Sequence, residues 1–394
     1  MTDLYPEEKR IQNYLFNIFK TISLKYGYEE IEPPILESAD IYKKSGQEIP
    51  QQMYTFKDKS SRLLALRPET TPSIARMIQN KSLQLPIKWF SISRCFRYER
   101  EQTGRAREFD QFNLDIIGSS SMQADAETIK TLIEILKALK LTKKDFFIRI
   151  SNRKLIEDLL KSINIKNIKE VSRIIDKKDK LSEKDFKLAL KDLKLSNQQI
   201  LQLQKILKIS SLNKIKIQSQ GLQELKELFS YLKSYKIQDY CRLDLSIMRG
   251  FDYYTSTVFE AFDSKKQFRA IAGGGRYDNL ASFPGVGYGL GDKILTLVLE
   301  SKNKLPSLKK QIDYYIAPVS KSIIPKAIQI AEKLRKNYTV EIDLLNRNLT
   351  KQIRYASSIT QNLIIVGEKD LKNKKITLRN LKTGKEKKIL ISKL

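Results

Sequence analysis

The stretch Ser93 to Gly118, SRCFRYEREQTGRAREFDQFNLDIIG, constrains this chain more than any other. Cys95, Phe96 and Tyr98 alternate with Arg94, Arg97 and Glu99, the period-two pattern of a half-buried strand. Thr103-Gly104 supplies a turn, and Phe109, Phe112, Leu114 and Ile116 carry a return strand. Two strands joined by a basic loop require a fold that contains a sheet. The polar set is Arg97, Glu99, Arg100, Arg105 and Arg107. Guanidinium forks grip phosphates with two hydrogen bonds, and a carboxylate can accept from the amino group of a base. That combination suits a nucleotide, with Phe109 against the purine. The bland alternative is a salt-bridged surface hairpin.

A chain of 394 residues has room for two or three domains. The formal net charge is +28, which favours a polyanionic partner such as RNA. Lysine dominates that excess, and part of it belongs to composition rather than to binding. The two cysteines, Cys95 and Cys241, lie far apart and lack metal-type spacing. That argues against a disulfide scaffold or a zinc site and for a reducing compartment. The first residues, MTDLYPEEKR, carry no signal-like apolar region, and no apolar run is long enough to span a bilayer. The expectation is a soluble cytoplasmic protein without a membrane partner. The chain has no histidine, so the commonest general base and metal ligand are both missing. No protein side chain is assigned to a metal.

Glu7 to Tyr26 is a helix candidate with Ile11, Leu15, Ile18, Phe19 and Ile22 on one face, ended by Gly27. Pro33-Pro34 forces extended backbone. Met53–Phe56 and Leu63–Leu66 read as a hairpin, and a threonine cap with Pro72 in the first turn starts a helix through Met77. Glu69 and Thr71 therefore stand at a strand-to-helix junction. Ala124 to Leu139 is a further helix. From about Ile150 to Lys236, Lys, Leu and Ile at helical spacing indicate a separate helical insert, most of whose lysines belong to solvated faces. Strand texture returns at Cys241, and FPGVGYGLGDKILTLVLE is a glycine-rich strand leading into a helix. The GGG and GxGxG patterns are weak by themselves and lack the context of a dinucleotide site. SKNKLPSLKK, 301–310, reads as a linker, and an alternation of strands and helices after it predicts a compact α/β domain.

Several stretches, in order, resemble the histidyl-tRNA synthetase family of class II aminoacyl-tRNA synthetases. RGFDYYTSTVFE, 249–260, resembles that family's histidine-binding signature, and AGGGRYDNL, 272–280, a second signature. FRYEREQTGRAREFDQFNLDIIG resembles the second class II motif, and LALRPETTPSIARM adds a further match. YEEIEPPILE looks like the first class II motif, normally at a dimer interface. The C-terminal pattern APV…EIDL…LTKQIRYA…LIIVGEKD…TGKE resembles an anticodon-binding domain. The resemblance implies an α+β catalytic domain with a class II antiparallel sheet, in two parts at 1–149 and 239–302. It also implies a mostly helical insertion at 150–238 and a C-terminal α/β anticodon-binding domain at 312–394. Three positions depart from the family pattern. Ile294 stands where the third motif has an arginine that grips ATP, Asp115 where many bacterial members have glutamate, and Glu101 where a proline is common.

By resemblance, the chain activates L-histidine with magnesium-bound ATP and transfers it to tRNA(His). It does so as a cytoplasmic homodimer with no DNA partner. The attacking carboxylate is already ionised at neutral pH, so activation needs positioning and charge neutralisation rather than a general base. Arg97 and Arg249 are the implied catalytic residues. Arg97, Glu99, Arg105, Arg107 and Phe109 are placed at ATP. Glu69, Thr71, Gln111, Asp115, Arg249, Tyr253, Tyr254 and Tyr277 are placed at histidine. Within that set Asp115 accepts the imidazole N–H and Tyr254 donates to the other nitrogen. Arg100 and Gln102 are placed at the tRNA acceptor end. Two alternatives stand beside this one: a catalytically silent regulator built on the same scaffold, and a non-enzymatic RNA-binding paralogue.

Overall fold

The computed structural model describes residues 3–46, 48–100, 104–249, 253–278, 282–308 and 310–394. It contains two compact units that divide between Pro306 and Ser307. The strands of the first unit, in chain order, are β1 (Glu29–Glu30), β2 (Leu36–Ser38), β3 (Tyr54–Lys57), β4 (Leu63–Leu66), β5 (Ile87–Phe96) and β6 (Glu108–Ile117). They continue with β7 (Phe146–Asn152), β8 (Cys241–Leu243), β9 (Thr257–Asp263), β10 (Ala272–Tyr277) and β11 (Gly285–Gly291). An eight-stranded sheet runs β1-β5-β6-β11-β10-β9-β7-β8, and a small sheet runs β2-β4-β3. The inner strands of the large sheet, from β5 to β7, are antiparallel, while β1 and β8 add in parallel at its edges.

The β5–β6 pair is the hairpin that alternation predicts, with Cys95 opposite Phe109 and Trp89 opposite Asp115. It ends earlier than the pattern suggests. The ladder stops at Phe96, and Tyr98 turns its N–H to the Gln52 carbonyl, 2.7 Å away. Gly104 takes a φ of +77°, the left-handed conformation that glycine enters without strain. Thr103, the other half of the expected turn, lies outside the described residues. The helix after β4 spans Thr71–Gln79. Thr70 is its N-terminal neighbour, but its side chain makes no capping hydrogen bond.

Helices Pro6–Lys25 and Met122–Ala138 cover one face of the sheet. Leu15 and Phe19 of the first, and Ile129, Leu132 and Leu136 of the second, share one core with Phe112 and Leu114 of β6. Five helices then span Arg153–Ser162, Ile168–Asp176, Glu183–Asp192, Asn197–Leu207 and Gln220–Ser234. Leu155, Leu225, Leu228 and Leu232 from these helices join the same core as Ile148 and Ile150 of β7. The helical segment is thus continuous with the large sheet in packing, and position 149/150 falls inside β7. Alternating texture marks where helices begin; it cannot show that their apolar faces are spent on a neighbouring sheet.

The second unit has strands β12 (Tyr314–Pro318), β13 (Val340–Ile342), β14 (Asn362–Val366), β15 (Lys375–Asn380) and β16 (Glu386–Leu390), in the order β13-β12-β14-β15-β16. Both neighbours of β12 are parallel to it, as βαβ crossovers through Ile324–Arg335 and Leu349–Ile359 require. Ala327, Ile330, Ala331 and Leu334 pack against Ile316, Ile342 and Ile364.

Candidate active site

The period of β6 builds the floor of the site. Phe112 and Leu114 point into the core, so Gln111, Asn113 and Asp115 point the other way. Opposite them on β11 stand Gly291, Gly289 and Gly287. These glycines leave room for close approach: a Cβ on Gly287 would overlap Asp115 Oδ1, and one on Gly273 of β10 would overlap the Arg249 guanidinium. The glycine-rich strands therefore make space for functional side chains.

Around that floor lies a cavity of about 100 Å³. Glu69 and Thr71 reach it from the β4-to-helix junction, Arg97 from the end of β5, and Arg249, Tyr253 and Tyr254 from the segment before β9. Tyr277, at the end of β10, closes it. The eight residues expected at histidine, together with Arg97, thus line one cavity. Asn113 and Tyr288 line it too. Asn113 was readable from the alternation that puts Gln111 and Asp115 on one face.

Two buried carboxylates dominate the chemistry. Asp115 Oδ1 accepts from the Tyr277 hydroxyl at 2.7 Å, and Glu69 Oε2 accepts from the Tyr253 hydroxyl at 3.0 Å. The second oxygen of each, Asp115 Oδ2 and Glu69 Oε1, is buried and has no hydrogen-bond partner among the described residues. Burial pushes the Asp115 pKa up to about 7, against the Tyr277 hydrogen bond and with a small push from the Glu69 charge. Burial likewise raises Glu69, while the nearby Ser45 hydroxyl, then Arg97, Tyr253 and Arg249, pull it down. A buried polar atom left unpaired costs free energy, so these two oxygens are poised to accept from a ligand.

Arg249 sits at a φ of +58°, a conformation uncommon for a residue with a side chain. Its Nη1 is 2.8 Å from Glu260 Oε1 on β9. Burial opposes its charge, but Glu260, with Tyr254 and Tyr253, outweighs that effect and keeps the guanidinium protonated. Asp176, the last residue of a helix in the helical segment, lies against this pair. Burial and then the Glu260 charge raise its pKa, while the Arg249 guanidinium and backbone N–H lower it. Sequence reasoning missed Glu260 and Asp176. Glu260 stands within the quoted signature, but nothing in spacing links Asp176 to Arg249.

The outer end of the cleft carries the motif-2 residues. Arg97 Nε donates to the Pro68 carbonyl at 2.9 Å, and its guanidinium lies 5.2 Å from the Phe109 ring centre. Arg105 is ion-paired to Glu99 at 2.8 Å, so two groups given separate parts at ATP are partners here. Arg107 lies 4.9 Å from the Tyr98 ring centre. Arg100 is exposed, and Gln102 and Glu101 lie outside the described residues. Ile294 is buried, and its side chain packs where a Cβ on Gly104 would fall. An apolar contact therefore occupies the place of the expected motif-3 arginine.

Among the described residues no group of three His, Cys, Asp or Glu side chains is placed to hold a metal ion, and no helix is long and apolar enough to cross a membrane.

Comparison with known proteins agrees with this geometry. A family model described as histidyl-tRNA synthetase matches residues 1–290, and one described as an anticodon binding domain matches 313–394. The chain is 36% identical to the chloroplastic/mitochondrial histidine–tRNA ligase of Arabidopsis thaliana, over 100% of this chain and 84% of the relative. It is 35% identical to the histidine–tRNA ligase of Pyrococcus furiosus, over 99% of this chain and 95% of the relative. The crystal structure of histidyl-tRNA synthetase from Nostoc sp. PCC 7120 superposes with a TM-score of 0.82 at 25% identity, covering 99% of this chain and 95% of that one. With matches that span both units and a pocket that carries the signature residues, the chain belongs to the histidyl-tRNA synthetase family.

Proposed function

We propose that this chain is a histidine–tRNA ligase that forms histidyl-adenylate from histidine and ATP in the cavity described above, then transfers histidine to tRNA. The observation that carries this reading is the pairing of two buried, half-satisfied carboxylates with two guanidiniums in one small cavity. Free histidine presents an ammonium, a carboxylate and an imidazole. Glu69, with Thr71 and Gln111 beside it, takes the ammonium. Asp115 Oδ2 accepts the imidazole N–H, and Tyr254 donates to the other ring nitrogen. A pocket that engages both ring nitrogens rejects apolar isosteres, because they would strand its own polar atoms.

Arg249 bridges the substrate carboxylate and the α-phosphate, and Arg97 holds the α-phosphate from the other side. Charge that builds on the phosphorus oxygens during displacement meets preformed cations. The ionised carboxylate attacks phosphorus and the bond to pyrophosphate breaks, with no proton to move. Glu99 and Phe109 hold adenine, Arg105 and Arg107 the outer phosphates. Among the described residues no cluster of acids is placed for magnesium, so the ion would enter on the phosphates; no step above depends on it. Arg100 and Gln102 meet the acceptor end of tRNA, and the C-terminal unit reads the anticodon of tRNA(His). A homodimer through the segment around 28–37 and a cytoplasmic location complete the proposal; Cys95 and Cys241 are both free thiols, as a reducing compartment keeps them.

Exchange of labelled pyrophosphate into ATP tests the reading. Exchange should appear with histidine and stay at background with any other amino acid, tRNA being absent. Background exchange with histidine would favour the silent scaffold instead.

A further inference from the structure

The cation inventory at the outer end of the cleft is thin for a triphosphate. Arg105 is already compensated by Glu99 at 2.8 Å, and Ile294 puts an apolar contact where the third motif has an arginine. Among the described residues a guanidinium outside the motif-2 hairpin, that of Arg269, meets this end. Strand β10 pairs Ala272 with Leu290, and β11 pairs Gly291 with Gln111. The segment leading into β10 therefore enters the sheet at the end where β6 begins with Glu108 and Phe109. Arg269 lies in that segment.

Its neighbours hold it still. Asp263 accepts from the N–H groups of Lys265, Gln267 and Phe268 at 3.1, 3.2 and 3.1 Å. Phe268 packs against the main core, and buried Ile271 donates its N–H to Ala261 O at 2.7 Å. Arg269 stands exposed between these two anchors. Partial burial and the nearby Arg105 charge lower its pKa, while Glu99 acts the other way. The guanidinium is thus within electrostatic reach of both members of the Arg105–Glu99 pair.

We infer that Arg269 is an ATP-binding residue that grips the outer phosphates beside Arg105. This rests on the ligase reading for the identity of the nucleotide. The competing role is structural: Arg269 could simply steady Glu99, which faces the adenine. The two roles separate by ligand. A phosphate grip acts on ATP and pyrophosphate but not on AMP, whereas a support for Glu99 acts on every adenine nucleotide.

Titration calorimetry of the full chain with ATP, pyrophosphate and AMP decides it. Arg269→Gln should weaken ATP and pyrophosphate about tenfold and leave AMP within about twofold. Arg269→Lys, which keeps the charge without the fork, should recover part of that loss and still fold if the glutamine variant does not. Equal losses for ATP and AMP, or unchanged ATP binding, would overturn the inference. These titrations need no histidine, so their outcome is independent of the exchange assay. If wild-type protein binds no ATP, the ligase reading itself has failed.

Discussion

Arg276 and Tyr277 are neighbours on β10, and they face two different worlds. Arg276 points to one side of the sheet and is 2% exposed. Its guanidinium bonds both oxygens of Asp125, the Ser119 carbonyl at 2.7 Å and the Ser121 carbonyl at 3.0 Å. Tyr277 points to the other side and donates to Asp115, whose second oxygen stays unmet. Both Asp125 and Asp115 are buried acids. One is saturated by its own protein; the other is left half open. Saturation makes a buried charge part of the scaffold, and incompleteness makes it part of a binding site.

Arg276→Ala should give the largest effect, because it strands a buried carboxylate. The expected loss is about 3–5 kcal/mol of folding stability, read from denaturant midpoints. A loss under about 1 kcal/mol would mean that the cluster is not structural and would erase the contrast.

Arg249→Ala should act on rate more than on fold. Loss of one preorganised cation at the transition state should slow activation by about 100- to 1000-fold, with a smaller loss of stability than Arg276→Ala because the Glu260 left unpaired is partly solvated. Activity within about fivefold of wild type would remove Arg249 from the mechanism.

Asp115→Asn gives the smallest effect and sharpens the comparison most. It should raise the histidine requirement by about 10- to 100-fold and leave the ATP requirement alone. Stability should move the other way. The folded-state pKa of Asp115 is raised to about 7, so its contribution to stability is fully present below the usual carboxylate pKa of about 3.9 and lost as pH rises through about 7. Asparagine does not titrate. The ligand-free variant should therefore melt higher than wild type on the alkaline side of neutrality and lose that advantage on the acid side. Histidine affinity in the wild type should climb through about 7, and the variant should keep only the ligand's own titration near about 6.5. A variant that melts lower on both sides would put Asp115 with Asp125, as a structural acid.

Period and punctuation determined a good deal by themselves. Alternation in 93–118 specified the hairpin and one face of β6, since side chains in a strand must alternate. Helical spacing specified the helices around Leu15, Leu132 and Ile330, because an apolar stripe must be covered. The strand–helix rhythm after 312 specified a βαβ unit. The resemblance then assigned residues of one pocket that lie far apart in the chain, from Glu69 to Tyr277.

Tertiary structure decided the rest, for one reason: it depends on which groups meet across the sheet. Only the register of β10 against β11 and β6 shows that the glycines clear space for Asp115 and Arg249. Only the packing shows that the helical segment shares the catalytic core and brings Asp176 to Arg249. Arg105 and Glu99 looked like two independent ligands of ATP, and proximity made them a pair. Arg276 and Tyr277 are adjacent letters in AGGGRYDNL, and nothing in that string says which one completes its hydrogen bonds at home. Saturation is a count of partners in space, and partners in space are set by the fold.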